Sequence, residues 1–203
     1  MESPSELPLF PLDMVLLPRR RVPLHIFEER YKQMISECIE NETEFGLVWG
    51  ADQDFQEIGC AARVVNLLNQ FPDGRMNILI EGTKRFRVIQ RQDIHAYISA
   101  LVEEIDDDNE ALDLDLGNRT KHLYAEALKL SLGWISPQMP TEELGALSFS
   151  LAANLNMPLE KQQSLLENTS VNKRLEEVSD ALEKSLVTLR EVKRRTRGNG
   201  HLI

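Results

Sequence analysis

Four groups of residues have types and spacings that could do chemistry. Ser170-Val171-Asn172-Lys173 has the S-x-x-K spacing, in which a lysine one helical turn beyond a serine could take its proton and create a nucleophile. The partner motifs of that chemistry are absent, and Ser170 stands just before an apolar stripe that opens at Val171, where a hydroxyl serves as a helix N-cap. The cap is the better reading. Gly82-Thr83-Lys84 has the wrong order for a phosphate-cradling loop and lies between β-rich runs instead of opening a helix, so it gives no ATP site. His25, His95, His122 and His201 are scattered, and none has a second ligand at metal spacing. Glu28 and Arg30, with Arg85, are charges inside apolar motifs. One glutamate beside arginines reads as an ion pair fixing a helix to a β body, not as an acid–base couple. No catalytic constellation results, so the chain reads as non-enzymatic, with no cofactor and no metal.

What remains is binding. Trp49, Phe71 and Trp134 lie at element ends or beside turns, outside the periodic stripes. A large aromatic there is either a plug between domains or an exposed anchor for another chain, and the plug is favoured for each. These three are the candidate peptide-binding residues.

The elements that must position them begin with Leu7 to Tyr31, LPLFPLDMVLLPRRRVPLHIFEERY. Its apolar density is too high for a solvated loop, and Pro8, Pro11 and Pro18 forbid a continuous helix, so it reads as extended backbone at a sheet edge or barrel corner. Phe27, Tyr31, Met34, Ile35 and Cys38 then recur at helical spacing, which predicts an amphipathic helix from Phe27 to about Glu40 covering that strand. Glu44 to Trp49, Ile58 to Asn66, Met76 to Thr83, Phe86 to Gln90 and Tyr97 to Glu104 read as strands. Pro72-Asp73-Gly74-Arg75 is a turn between two of them, and Gly82 a bend. Short strands at this spacing, with one inserted helix, suggest a small closed or nearly closed barrel.

From Glu103 to Asp115 the chain piles up like charges and should be a solvated linker. Beyond it the period becomes helical. One helix carries Leu123, Ala127, Leu130 and Trp134 and is broken by Pro137 and Pro140. A second, capped at Thr141, carries Leu144 to Leu155; a third runs from Pro158 to Leu166; the last carries Val171, Leu175, Val178, Leu182, Leu189 and Val192, with its seam broken at Ser185. The expected fold class is α+β, with a β-rich body over residues 1–105, an acidic linker over 106–115 and a helical bundle over 116–203 that ends in a long helix. The seam of that helix is short, which leaves a homodimer open.

At 203 residues the chain can bury one large core or two small ones. Acidic residues outnumber basic ones, 33 to 23, and the net charge of -10 repels phosphate backbones and anionic lipid, so neither nucleic acid nor membrane is an expected partner. The basic groups at Arg19-Arg20-Arg21 and Lys193 to Arg197 read as solvated ends. Cys38 and Cys60 read as small buried hydrophobes in a reducing compartment. The acidic start MESPSE does not lead into a long apolar run, so no signal peptide or span is expected and a cytoplasmic location is.

LPLFPL at Leu7 to Leu12, PLHIFEERY at Pro23 to Tyr31, FGLV at Phe45 to Val48, PDGRMNILIEGTKRFRV at Pro72 to Val88 and LEKQQSLLE at Leu159 to Glu167 resemble the Lon protease N-terminal domain family, the substrate-binding part of that ATP-dependent protease. The resemblance covers nearly the whole chain, with five motifs in the family's order. It implies a PUA-like β pseudobarrel with an inserted helix, a C-terminal helical bundle, and a role in holding unfolded or apolar polypeptide segments. Family members often have glycine after the proline that is Pro18 here, and proline where this chain has Glu29. A Lon protease continues into an ATPase and a serine-lysine peptidase, whereas this sequence ends after its long helix, which suggests a stand-alone member. The alternative is an adaptor or regulatory subunit that docks through the long helix on a protease, an ATPase or another assembly.

Overall fold

The computed structural model describes residues 4–92, 96–132 and 142–198. In chain order the elements are β1 (Ser5–Leu12), β2 (Arg21–Ile26), α1 (Glu29–Glu40), β3 (Phe45–Ala51), β4 (Asp54–Phe55), β5 (Ile58–Gln70), β6 (Met76–Gln92), β7 (Ser99–Glu104), α2 (Leu114–Leu132), α3 (Leu144–Ala152), α4 (Leu159–Glu167) and α5 (Val171–Gly198). They group into two compact units. The first runs through Asp106 and takes in Pro158–Thr169; the second holds Asp107–Met157 and resumes at Ser170.

The first unit is a ring of strands with a wing. β1 pairs antiparallel with β7 from Ser5↔Val102 to Pro8↔Ser99, then parallel with β3 from Leu9↔Gly46 to Leu12↔Trp49. Because a proline has no amide to donate, a strand carrying Pro8 and Pro11 is suited to pairing each edge over only half its length. β3, β5, β6 and β7 close the ring through antiparallel pairs, so one parallel contact makes it an uneven barrel. Leu9, Val48, Phe86, Ile98, Ala100 and Val102 form one of its buried clusters. α1 covers another through Tyr31, whose ring centroid lies 4.1 Å from that of Phe10.

β6 is the long strand of this unit. β5 follows one side of it, while on the other β2 pairs with Met76–Glu81 and β7 with Phe86–Gln92. The segments expected as two strands bent at Gly82 are therefore one strand. Gly82 has a different task, since a Cβ there would lie 2.4 Å from the Leu17 carbonyl oxygen. The missing side chain lets the Leu17–Arg20 turn dock on β6 through Arg19 N–H to Gly82 O at 2.8 Å and Gly82 N–H to Arg20 O at 3.0 Å. In that turn Arg19 takes a φ of 68°, a left-handed conformation that favours glycine.

Two other expectations at this end change. Arg21–Ile26, which the reading of extended backbone did not single out as a strand of its own, is β2. α1 begins at Glu29, and Phe27, placed on the buried stripe by its spacing, lies before the helix and is 60% exposed.

α4 also belongs to this unit, although its residues fall in the range expected for the bundle. It is tied down by buried polar groups. Arg85 donates to the Leu166 and Asn168 carbonyls at 3.2 and 2.9 Å, Gln163 Nε2 to Ile58 O at 3.1 Å, and Arg20 Nη1 to Gln162 Oε1 at 2.7 Å. Leu165 and Leu166 supply its apolar face. Such a helix is fixed by partners distant in sequence, which its own periodicity does not reveal.

In the second unit α2 and α3 pack on α5. The expected seam holds from Val171 through Leu182 and passes to Leu186, all buried, before fading at half-buried Leu189 and exposed Val192. The acidic stretch is more than a solvated linker. Asp107 pairs with Arg174, Glu110 accepts from Ser170 Oγ at 3.0 Å and from the Asn172 amide at 3.1 Å, and Asp113 Oδ1 accepts from the Leu116 amide at the start of α2. These carboxylates are stabilised by a buried cation and by the positive ends of two helices. α2 accordingly begins at Leu114 instead of near Leu123. The breaks at Pro137 and Pro140 and the cap at Thr141 lie outside the described residues.

Candidate functional site

Ser170 is the cap that its position implied: its Oγ accepts from the Lys173 amide at 3.2 Å and donates to Glu110. The N–H groups at the α5 start hold the Glu110 carboxyl below the usual carboxylate range, chiefly through the Asn172 amide. Glu28 and Arg30 pair at 3.0 Å, and Arg30 also binds Asp52 beyond β3, which ties α1 to the ring. Arg85 is not in this group; it serves α4. Cys38 and Cys60 are both buried, and burial pushes each thiol's pKa up. His25 Nδ1 lies 2.6 Å from Asn77 Oδ1 at the surface. His95 and His201 lie outside the described residues. Among the described residues no three His, Cys, Asp or Glu side chains gather as a metal site.

The three aromatic candidates are not brought together. Trp49, half-buried on β3, donates its indole N–H to Asp13 Oδ1 at 3.2 Å. Phe71 is half-buried at the tip of the β5–β6 hairpin, with the Arg75 guanidinium 5.3 Å from its centroid and His25 edge-on at 6.2 Å. His25 in turn stacks at 6.0 Å on Phe27. Trp134 lies outside the described residues.

The larger apolar surface is on β5. β3 pairs with it only as far as Phe45↔Ala62, so from Arg63 to Gln70 it is bonded along one side, to β6. Register shifts between Val64 and Asn66 and between Leu67 and Asn69 break the alternation that would bury every second side chain. Val65, Leu67 and Leu68 are consequently 36%, 41% and 51% exposed. α1 lies against β5, and Ile39, Val64, Val65 and Leu67 share a cavity of about 470 Å³ with Glu42 and Arg63. Three of these apolar residues, Ile39, Val65 and Leu67, are among the exposed ones, which sets this wall apart from an ordinary surface carrying single apolar residues. The strand assignment stopping at Asn66 missed the surface. The signal was available in VVNLLNQF, four aliphatics without strict alternation running into a turn.

Arg63 on this wall is held by Glu81, whose Oε1 it meets at 3.1 Å while Arg21 meets Oε2 at 2.7 Å. Burial opposes ionisation of Glu81, but the two guanidiniums outweigh it and keep the carboxyl below its ordinary value.

A second cavity of about 470 Å³ lies within the helical unit, lined by Tyr124 and Leu128 of α2, Leu155, and Leu182, Ser185 and Leu189 of α5. The small Ser185 opens the seam there. Among the described residues no helix is long and apolar enough to cross a membrane.

Comparison with known proteins places this architecture. The chain is 26% identical over 205 residues to the Lon protease of Dictyoglomus thermophilum, covering 93% of this chain and 25% of that protein. It is 29% identical over 206 residues to the Lon protease of Azorhizobium caulinodans, covering 94% and 24%. It thus spans about a quarter of the length of the curated relatives it matches. The crystal structure of a Lon N-terminal domain protein from Xanthomonas campestris superposes with a TM-score of 0.65 at 26% identity, covering 86% of this chain and 96% of that one. The N-terminal domain of a Mycobacterium avium complex Lon protease, at 17% identity and a TM-score of 0.69, shares the fold over 88% of this chain and 98% of its own. The model of the ATP-dependent protease La (LON) substrate-binding domain matches residues 6–184, and the chain belongs to that family.

Proposed function

We propose that this chain is a non-enzymatic polypeptide-recognition module whose β5 wall holds exposed apolar segments of other proteins. The observation that carries this reading is the run Val65, Leu67 and Leu68, left exposed by two bulges, with Val65 and Leu67 joined by Ile39 at a cavity. The free edge offers backbone groups to a client, as in strand addition. The bulges prevent an even ladder along its whole length, so side chains carry most of the recognition and edge-to-edge aggregation is restrained. The reading is supported by membership of a family described as substrate-binding.

The test is titration of a labelled, permanently unfolded model protein into the chain, followed by fluorescence anisotropy. Val65→Asp with Leu67→Asp should weaken binding about tenfold or more, since truncating a central apolar anchor removes upwards of about 1 kcal/mol per residue. ATP should have no effect. Unchanged affinity in the double variant would remove β5 as the site.

A second reading is docking of an assembly on α5, favoured by Val187 and Val192, each 56% exposed. Leu182 is fully buried, so a charge there would unfold the unit and cannot test docking. Val187→Asp with Val192→Asp can.

A further inference from the structure

We infer that the β5 wall selects apolar segments bearing a lysine or arginine next to the apolar anchor, with Glu42 as the carboxylate that meets the cation. This rests on the polypeptide-binding reading above and specifies which segments that site takes.

Glu42 follows the end of α1 with a φ of 54°, in the left-handed region. Its amide reaches Ile39 O at 3.4 Å and that of Thr43 reaches Cys38 O at 3.0 Å, the helix-closing arrangement in which this position is usually glycine. A side chain is therefore present where the backbone would be easier without one. It lines the same cavity as Ile39, Val65 and Leu67.

The electrostatics point the same way. α1 presents the negative end of its dipole here and has no basic residue in its last turn, while Glu40 and Glu44 flank Glu42 in sequence. The Glu42 carboxylate is exposed and has no ion-pair partner among the described residues. Among the described residues the cation lining the cavity is Arg63, which is held by Glu81, and Glu81 also binds Arg21. A carboxylate without a counter-ion beside these apolar residues repels a segment with acidic flanks and draws in one with basic flanks. The wall thus combines an apolar side-chain site with a carboxylate lacking its counter-ion, and the complementary occupant is an extended apolar peptide carrying Lys or Arg.

The experiment uses the full chain and three synthetic peptides sharing one Leu/Val-rich core, flanked by Lys, Gln or Glu, with affinities read by anisotropy at low and at physiological salt. Binding should fall in the order Lys, Gln, Glu, with the Lys advantage shrinking as salt rises. Glu42→Gln should weaken the Lys peptide about two- to fivefold, the range expected of an exposed ion pair, and leave the Gln peptide unchanged. Glu42→Lys should reverse the order of the Lys and Glu peptides. Equal binding of all three, or no response to Glu42→Gln, with Leu67→Asp still weakening each, would overturn the charge preference and leave the site standing. Failure of every peptide to bind would overturn the polypeptide-binding reading and this inference with it.

Discussion

Arg174 and Asp107 meet through two parallel bonds, Nη1 to Oδ1 at 2.7 Å and Nη2 to Oδ2 at 2.8 Å, and the arginine side chain is wholly buried. Ser148 Oγ accepts from its Nε at 2.9 Å and the Phe149 ring lies 4.3 Å beneath it. Asp107→Ala would leave a buried guanidinium short of its counter-charge. Urea unfolding should show a loss of about 3 kcal/mol, the low end for a broken buried pair because Asp107 keeps some solvent contact. Asp107→Asn, which retains one acceptor, should lose less. An Asp107→Ala chain as stable as the parent would mean that the acidic stretch is only a linker.

Glu110 should make the helical unit sensitive to acid. Its folded-state pKa lies below the unfolded value, so its contribution is complete above the ordinary carboxylate range and disappears as pH falls through the depressed folded value. Glu110→Gln should therefore lower the thermal midpoint at neutral pH and converge with the parent in strong acid. A constant difference across that window would mean that its charge is irrelevant.

Ser170→Ala removes the hydroxyl that accepts from the Lys173 amide and should cost about 1 kcal/mol. Ser170→Thr, which keeps a hydroxyl able to accept from the Lys173 amide and donate to Glu110, should lose less. Denaturant midpoints of the two variants decide it; an Ala variant as stable as the parent would contradict the capping role.

The turn after Pro18 should tolerate glycine better than its own residue. Arg19 is held at a φ of 68°, where an L side chain is disfavoured by about 1–2 kcal/mol, and part of any relief is offset by the greater freedom of an unfolded glycine. Arg19→Gly should raise stability by about 0.5–1 kcal/mol. At Gly82 the direction reverses, because a Cβ would strike the Leu17 carbonyl, so Gly82→Ala should be destabilising by about 1–3 kcal/mol.

The parts of this architecture that were legible in the sequence are those specified by local period. Val171 to Leu182 repeats at helical spacing, and Pro72-Asp73-Gly74 carries turn chemistry, so α5 and the hairpin were apparent. Ser170 was readable as a cap for the same local reason. Elements fixed by distant partners were hidden: β2 exists because β6 pairs with it, and α4 is held by Arg85 and two buried glutamines. The apolar wall was obscured because bulges at Val65 and Leu68 break the alternation on which a strand's buried face is read. Phe27 was misplaced because helical spacing cannot show that the helix starts two residues later.

Whether β5 is where a polypeptide docks can be read amide by amide, by hydrogen exchange of the full chain with and without a saturating unfolded client. Slowed exchange confined to Arg63–Gln70 and the α1 end near Ile39 to Thr43, with α2 and α5 unchanged, is the expected result. Binding that slows amides only on α5, or elsewhere while β5 exchanges as before, would contradict it.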